Sequence, residues 1–182
     1  MSQADLRASG PAPGAAAESK GVTPNVFRQA MRALSGGVCI VATGAGDDRR
    51  GLTATAVCSL SADPPMLIAC INRSTQAFAV ARDTGSFSVN VLSTDHLDLA
   101  RCFAGGDRVG VERFALGTWS KGPTDAPLLE GSLCAFDCRV AAIHEFGTHG
   151  IFVGFIEHLQ MAAAAPPLLY GNGAFCRLVE LD

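Results

Sequence analysis

Gly51-Leu52-Thr53-Ala54-Thr55-Ala56-Val57-Cys58-Ser59-Leu60-Ser61-Ala62-Asp63-Pro64-Pro65 runs directly into Met66-Leu67-Ile68-Ala69-Cys70-Ile71-Asn72-Arg73-Ser74. The first stretch is rich in small residues and hydroxyls, the second is apolar until its last three residues, and a Pro-Pro pair separates them. Both read as β-strands bounded by turn residues. A strand of small side chains lets a flat ligand approach the backbone closely. An Asn-Arg-Ser end supplies hydrogen bonds and a positive charge.

Chemically, this combination suits a flavin nucleotide. The ring edge presents carbonyl and nitrogen acceptors and one N–H, which backbone groups of Thr53, Ala54, Thr55, Ala56, Val57, Cys58 and Ser59 can match. The phosphate needs donors and charge, which Asn72, Arg73 and Ser74 can provide. Ser74 is also the expected N-cap of a helix from Thr75 to about Arg82, whose free N–H groups favour an anion. The same residues also describe a capped helix with a surface arginine and a strand with solvent-facing hydroxyls, and spacing alone leaves both readings open.

The chain has 182 residues, of which 48% are hydrophobic and 17% charged. That length supports one domain with a full-sized core. The low charged fraction points to surface covered by a partner subunit. The net charge of −3 argues against non-specific binding to nucleic acid or anionic membrane. No apolar run reaches the roughly 18–20 residues needed to span a bilayer. Met1 to Gly21 is rich in Ala, Gly, Pro and Ser and lacks the apolar core of a secretory signal. Residues 1–22 are therefore expected to form a disordered leader, and residues 23–182 one domain.

Seven cysteines, an odd number with no Cys-x-x-Cys, mostly sit in apolar runs. They read as small buried hydrophobes in a reducing cytoplasm. No metal site is expected: Cys134 and Cys138 on one strand would lie about 13 Å apart, too far to share a zinc.

Thr23-Pro24 is a helix start, Val26, Phe27, Ala30, Met31 and Leu34 mark one face, and Gly36-Gly37 is the expected stop. Strands are predicted over Val38–Thr43, Thr53–Leu60, Met66–Ile71, Phe87–Leu92, Leu133–Ile143, Gly150–Met161, Leu168–Tyr170 and Phe175–Leu181. A further short helix is predicted over Thr94–Phe103. Eight or nine strands with three short helices describe a mostly β protein, a small barrel rather than a βαβ fold. The Gly-x-Gly-x-x-Gly of a dinucleotide-binding fold is absent. Gly147-Thr148-His149-Gly150 opens a strand, where a histidine either faces a cofactor or caps a turn. His96, His144 and His158 read as surface or structural. Glu112-Arg113-Phe114 and Trp119 read as a surface ion pair and a buried indole.

Ten stretches then match one family in order from residue 27 to about 178. They are Phe27-Arg28-Gln29-Ala30-Met31, Leu52 to Ser59, Asp63-Pro64-Pro65, Cys70 to Ser74, Ser88-Val89-Asn90-Val91-Leu92, Phe103-Ala104-Gly105, Glu112-Arg113-Phe114, Trp119 to Pro123, Gly131-Ser132-Leu133 and Gly147-Thr148-His149. The chain resembles the short flavin:NAD(P)H reductases, the small components of two-component flavin monooxygenases. The resemblance implies an FMN-binding split β-barrel and a homodimer. It implies FMN or FAD held by Thr53–Ser59 and Asn72–Ser74, with Phe103 and Ala104 nearby and His149 on the nicotinamide side. Family members carry basic residues after the tyrosine of the penultimate strand. Here Gly171-Asn172-Gly173-Ala174 follows Tyr170, and Arg177 is the cation expected to replace them.

The implied reaction is hydride transfer from NADH, with NADPH as the alternative donor, to a flavin that then serves a separate oxygenase. NADH is favoured because no arginine cluster stands out for a 2′-phosphate. Three other readings stand beside it: a related barrel that retains its flavin and reduces a corrinoid or iron chelate, a non-enzymatic flavin-binding module, and a structural β-barrel interaction protein.

Overall fold

A computed structural model describes residues 21–106 and 108–181 of the chain. The expected leader lies outside the described residues, apart from Gly21 and Val22.

The first helix, α1 (Pro24–Met31), starts as expected: the Thr23 hydroxyl accepts from the Val26 N–H, and Pro24 opens the first turn. It ends at Met31, before the expected glycine stop. Gly36 and Gly37 instead form a short strand, β1 (Gly36–Gly37), paired with β11 (Leu168–Gly171). No residue of α1 is buried, so its apolar side lies on the surface.

Seven strands form one antiparallel sheet: β2 (Cys39–Thr43), β3 (Arg50–Ala54), β4 (Val57–Ala62), β5 (Pro65–Asn72), β6 (Ser86–Val91), β9 (Cys134–Phe146) and β10 (His149–Met161). Their order is β3-β2-β6-β9-β10-β5-β4. A separate ribbon pairs β7 (Trp119–Lys121) with β8 (Pro127–Leu129), and β11 also pairs with β12 (Ala174–Arg177). The described residues thus hold twelve strands, more than the periodicity predicts, because β1, β7 and β8 are too short to carry a pattern.

The difference that matters most lies at Thr55-Ala56. The sequence predicts one strand over Thr53–Leu60, but the chain breaks there into β3 and β4, which are the two edges of the sheet. Three Cα–Cα steps from Ala54 to Val57 span at most roughly 11 Å, so the two edges must meet at this corner. The Cys70 N–H donates to the Ala56 carbonyl at 2.9 Å and ties the corner to β5. β3 and β4 form no ladder with each other, so the curled sheet is a barrel split along this seam.

Apolar side chains fill both sides of β2, which is why Val38 to Thr43 reads as a continuous apolar run. Val41, Leu67, Ala69, Ile71, Phe87, Val89 and Phe152 pack inside the barrel. Phe78 and Ala81 of α2 (Gln76–Thr84) close one end of it. On the other side of β2, Val38, Ile40 and Ala42 pack against Leu99, Ala100 and Phe103 of α3 (Leu97–Phe103). Asn90, wholly buried, joins three strands: its amide donates to the Ile40 carbonyl at 3.1 Å and accepts from the Leu129 N–H at 2.7 Å. The cap of α2 is Thr75, not Ser74; its hydroxyl accepts from the Phe78 N–H at 3.2 Å. Likewise Ser93, not Thr94, caps the turn that leads into α3.

Cys39, Cys102 and Cys138 are buried and Cys58 and Cys176 exposed, so fewer cysteines serve the core than their apolar surroundings predict. Burial pushes the Cys39 and Cys138 thiols up to about 12, which leaves them neutral.

Candidate functional site

A cleft of about 460 Å³ opens at the corner where the barrel is split. One wall is β3 with its continuation, Leu52 to Ala56. The opposite wall is the end of β5, Cys70 and Asn72, with His149 beside Asn72 on β10. Phe103, Ala104 and Gly105 at the end of α3 close a third side. Among the described residues no acceptor engages the Thr55 or Ala56 N–H, so the corner keeps two backbone donors for a ligand.

A second groove of about 290 Å³ continues the first and shares Leu52, Thr75 and Arg113 with it. Arg50, Gln76 and Ala77 line it at the start of α2. The Arg50 guanidinium is held by Gln76 Oε1 at 2.8 Å and the Asp47 carbonyl at 2.9 Å. Arg113 donates to the carbonyls of Gly51 and Phe103, each at 3.3 Å, and of Arg108 at 2.9 Å. No carboxylate lines either groove among the described residues. Two guanidinium groups, the first turn of a helix and no competing negative charge suit a phosphate.

The cleft wall depends on Gly51. A Cβ there would stand 2.7 Å from the Phe103 ring, so glycine is what lets that ring lie against β3. Phe103 is further held edge-on by Phe114, with ring centroids 5.1 Å apart, and Trp119 donates its indole N–H to the Leu116 carbonyl at 2.8 Å. The Thr53 hydroxyl ties β3 to α3 through the Ala100 carbonyl at 2.7 Å.

The residues singled out in the sequence are only partly brought together. Thr53, Ala54, Thr55, Ala56, Asn72, Phe103, Ala104 and His149 line the cleft. Val57 turns into the barrel core, and Cys58 and Ser59 continue along the exposed edge strand β4. Asn72 accepts from the N–H and hydroxyl of Ser74, both at 2.9 Å, which uses Ser74 within the turn. Arg73 pairs with Glu145 at 2.7 Å and donates to the Gly147 carbonyl at 3.2 Å, away from both grooves. Arg177 sits exposed on β12 and lines neither groove. The His149 ring is exposed, with Nδ1 2.8 Å from the Thr148 hydroxyl. Cys70 is held as a neutral thiol by partial burial and by nearby Cys58.

Residues 31–179 match the flavin reductase like domain. FMN reductase (NADH) RutF 2 of Methylorubrum extorquens strain PA1 is 40% identical over 156 residues, 85% of this chain and 90% of that one. The 4-hydroxyphenylacetate 3-monooxygenase reductase component of Pseudomonas aeruginosa is 40% identical over 153 residues, 84% of this chain and 90% of that one. The chain belongs to the flavin reductase family. Among solved structures, the Streptomyces globisporus NADH:FAD oxidoreductase SgcE6, in complex with NAD and FAD fragments, superposes with a TM-score of 0.78 at 27% identity. That match covers 87% of this chain and 96% of SgcE6.

As a member of the flavin reductase family the chain is an oxidoreductase that acts on flavin, on a split-barrel fold. Among the groove residues that sequence reasoning did not single out are Arg50, Gln76 and Arg113. Arg50 falls between the predicted strands Val38–Thr43 and Thr53–Leu60, outside every predicted element. Arg113 read as half of a surface ion pair, although it stands in one of the stretches that resemble the family. Among the described residues no helix is long and apolar enough to cross a membrane.

Proposed function

We propose that this flavin reductase transfers hydride from NADH to FMN or FAD in the corner cleft, and that the reduced flavin supplies a separate oxygenase. The carrying observation is the pair of joined grooves. One is floored by small residues with free backbone donors; the other is lined by arginines without a carboxylate. The ring lies against Thr53–Ala56, and the first phosphate lies between Arg50, Arg113 and the start of α2. This places the phosphate one groove away from Asn72-Arg73-Ser74. FMN and FAD share all the parts that these two grooves accommodate.

The bound flavin supplies a ring that accepts hydride; the protein positions the two rings and excludes water. The Thr55 and Ala56 N–H groups donate to the ring edge and favour the negative charge that reduction brings there. His149 seats the nicotinamide through hydrogen bonding and ring contact, and no proton transfer is asked of it. Arg113 fixes the distance between ring and phosphate, because it also binds the carbonyls of Gly51 and Phe103.

The working unit in this reading is a homodimer in the cytoplasm, built from one split-barrel domain per chain. Its support is the outer face of β5 and β10. There Met66, Ile68, Ile151, Val153 and Phe155 alternate with buried residues and point away from the core. The stripe runs into the cleft at Cys70 and Asn72, so a partner docked on it borders the flavin. The oxygenase is a separate partner, as the relative named as a monooxygenase reductase component suggests.

The test is dihydronicotinamide oxidation, followed by near-ultraviolet absorbance, by purified protein with and without FMN, FAD or riboflavin. Oxidation that saturates with free flavin is expected. Flavin binding without oxidation would instead favour a non-enzymatic flavin module.

A further inference from the structure

His149 stands at the first position of β10, straight after the turn Gly147-Thr148 that joins it to β9. Gly147 takes a φ of +52°, which glycine adopts freely and which so tight a turn needs. Arg73, just after β5, holds this turn twice. Its N–H donates to the Thr148 carbonyl at 3.0 Å, and its guanidinium donates to the Gly147 carbonyl at 3.2 Å. With its backbone fixed in this way, Thr148 places its hydroxyl 2.8 Å from Nδ1 of His149.

Among the described residues this is the sole hydrogen bond of either side chain, and no carboxylate pairs with the ring. A neutral imidazole carries one N–H, and the bond made by one nitrogen decides whether the other is a donor or an acceptor. If Nδ1 held the proton, the hydroxyl hydrogen would have no protein acceptor. With Nδ1 as acceptor the hydroxyl donor is matched, and the proton sits on Nε2. His149 lines the cleft together with Thr53–Ala56, so the free nitrogen of the ring is an N–H donor at the place where the nicotinamide meets the flavin in the proposed site.

We propose that Thr148 is a positioning residue: its hydroxyl donates to His149 Nδ1, orients the exposed ring, holds the proton on Nε2, and so makes the ring a donor to the carboxamide carbonyl of the dihydronicotinamide. This rests on the reading of the corner cleft as the place of hydride transfer. A carboxamide offers a carbonyl on one side and an amino group on the other. A ring free to turn and to exchange tautomers binds either side. A ring held as a donor binds only the carbonyl, so the hydroxyl selects one orientation of the carboxamide. When the nicotinamide covers the ring and displaces water, the hydroxyl is the partner that remains at Nδ1.

The test uses Thr148→Val, which keeps the shape of the side chain and removes the hydroxyl, and Thr148→Ser, which restores the hydroxyl. In flavin-free protein labelled with nitrogen-15, at a pH where the ring is neutral, the His149 ring signals should report Nε2–H in wild type and in Thr148→Ser. Thr148→Val should show a larger share of Nδ1–H. Loss of one hydrogen bond predicts a KM for NADH about fivefold higher in Thr148→Val, with the wild-type value kept in Thr148→Ser. The flavin Kd should stay unchanged, which also reports that the variants are folded. The reduced thionicotinamide analogue of NADH, whose sulfur is a weak acceptor, should show little difference between wild type and Thr148→Val. An Nδ1–H ring in wild type, or a tautomer that Thr148→Val leaves unchanged, would overturn the proposal. So would an equal rise in KM for both donors, or a KM in Thr148→Ser as high as in Thr148→Val, either of which would make Thr148 a part of the turn alone. Failure of the underlying reading is seen separately, as wild-type protein that oxidises neither donor with any flavin while the nitrogen spectrum still reports the tautomer.

Discussion

In the proposed site, Arg73 and Arg113 exchange the roles that their neighbours in sequence suggest. Arg73 follows the apolar strand of the nucleotide-like stretch, yet its guanidinium is tied to Glu145 and the Gly147 carbonyl. Its N–H also donates to the Thr148 carbonyl at 3.0 Å, so the residue braces the turn that presents His149. Arg113, 40 residues further on, sits where the two grooves join. Arg113→Ala should raise the flavin Kd about tenfold or more, read by quenching of flavin fluorescence. Arg73→Ala should leave that Kd within about twofold, since its exposed ion pair contributes little, and raise the KM for NADH. His149→Ala should likewise raise the KM for NADH more than it weakens flavin binding; equal loss of both would remove its assigned role. Residue type and spacing raised Thr53–Ala56, Asn72 and His149 as candidates, and the resemblance to the family tied them to a flavin. They did not make Arg113 legible, because the direction of a guanidinium is set by the carbonyls of Gly51 and Phe103, brought to it by distant elements.

At the scale of elements, the cleft wall is a close approach of α3 to β3. Gly51→Ala would push a methyl into the Phe103 ring. Overpacking of this kind costs about 1–3 kcal/mol, and the displaced ring should also weaken flavin binding; urea denaturation and flavin titration check the two effects. The entry into α3 carries a pH dependence. His96 Nδ1 accepts from the Ser93 N–H at 3.2 Å, which requires a neutral ring. Burial lowers its pKa below the ordinary value, with Asp95 opposing in part. The unfolded chain therefore takes up this proton at a higher pH than the folded protein does. The contribution of the cap is complete above the ordinary histidine value of about 6.5 and falls away as the pH drops through the lower folded value. His96→Gln should flatten the stability profile between about pH 7 and pH 5 relative to wild type, measured by denaturation at each pH.

At the scale of the whole molecule, the outer face of β5 and β10 leaves an apolar stripe beside the cleft, and Leu60 on the adjoining edge strand is 52% exposed. The paired variant Ile68→Asp/Val153→Asp should shift the protein from dimer to monomer in light scattering after gel filtration. Because the stripe reaches Cys70 and Asn72, flavin affinity should fall with it. A mass already monomeric in wild type would remove the dimer from the proposal. The low charged fraction of the sequence is what a covered surface would leave, and in the proposed dimer the alternation of buried and half-buried residues along β5 and β10 picks out that surface.

The sequence by itself determined the class of the fold and much of the cleft floor. Period-two apolar runs, turn residues and the small-residue stretch act locally, within a strand or a cap. They are visible without knowing what lies opposite. Tertiary structure alone decided that Thr53–Leu60 is two strands and not one. Its apolar pattern continues through Thr55-Ala56, and the break exists because the sheet curls until its first and last strands meet there. The same closure brings Arg50, Gln76 and Arg113 into one groove and draws Arg73 aside to Glu145. Those placements depend on long-range contacts between elements, which no local pattern of residues encodes.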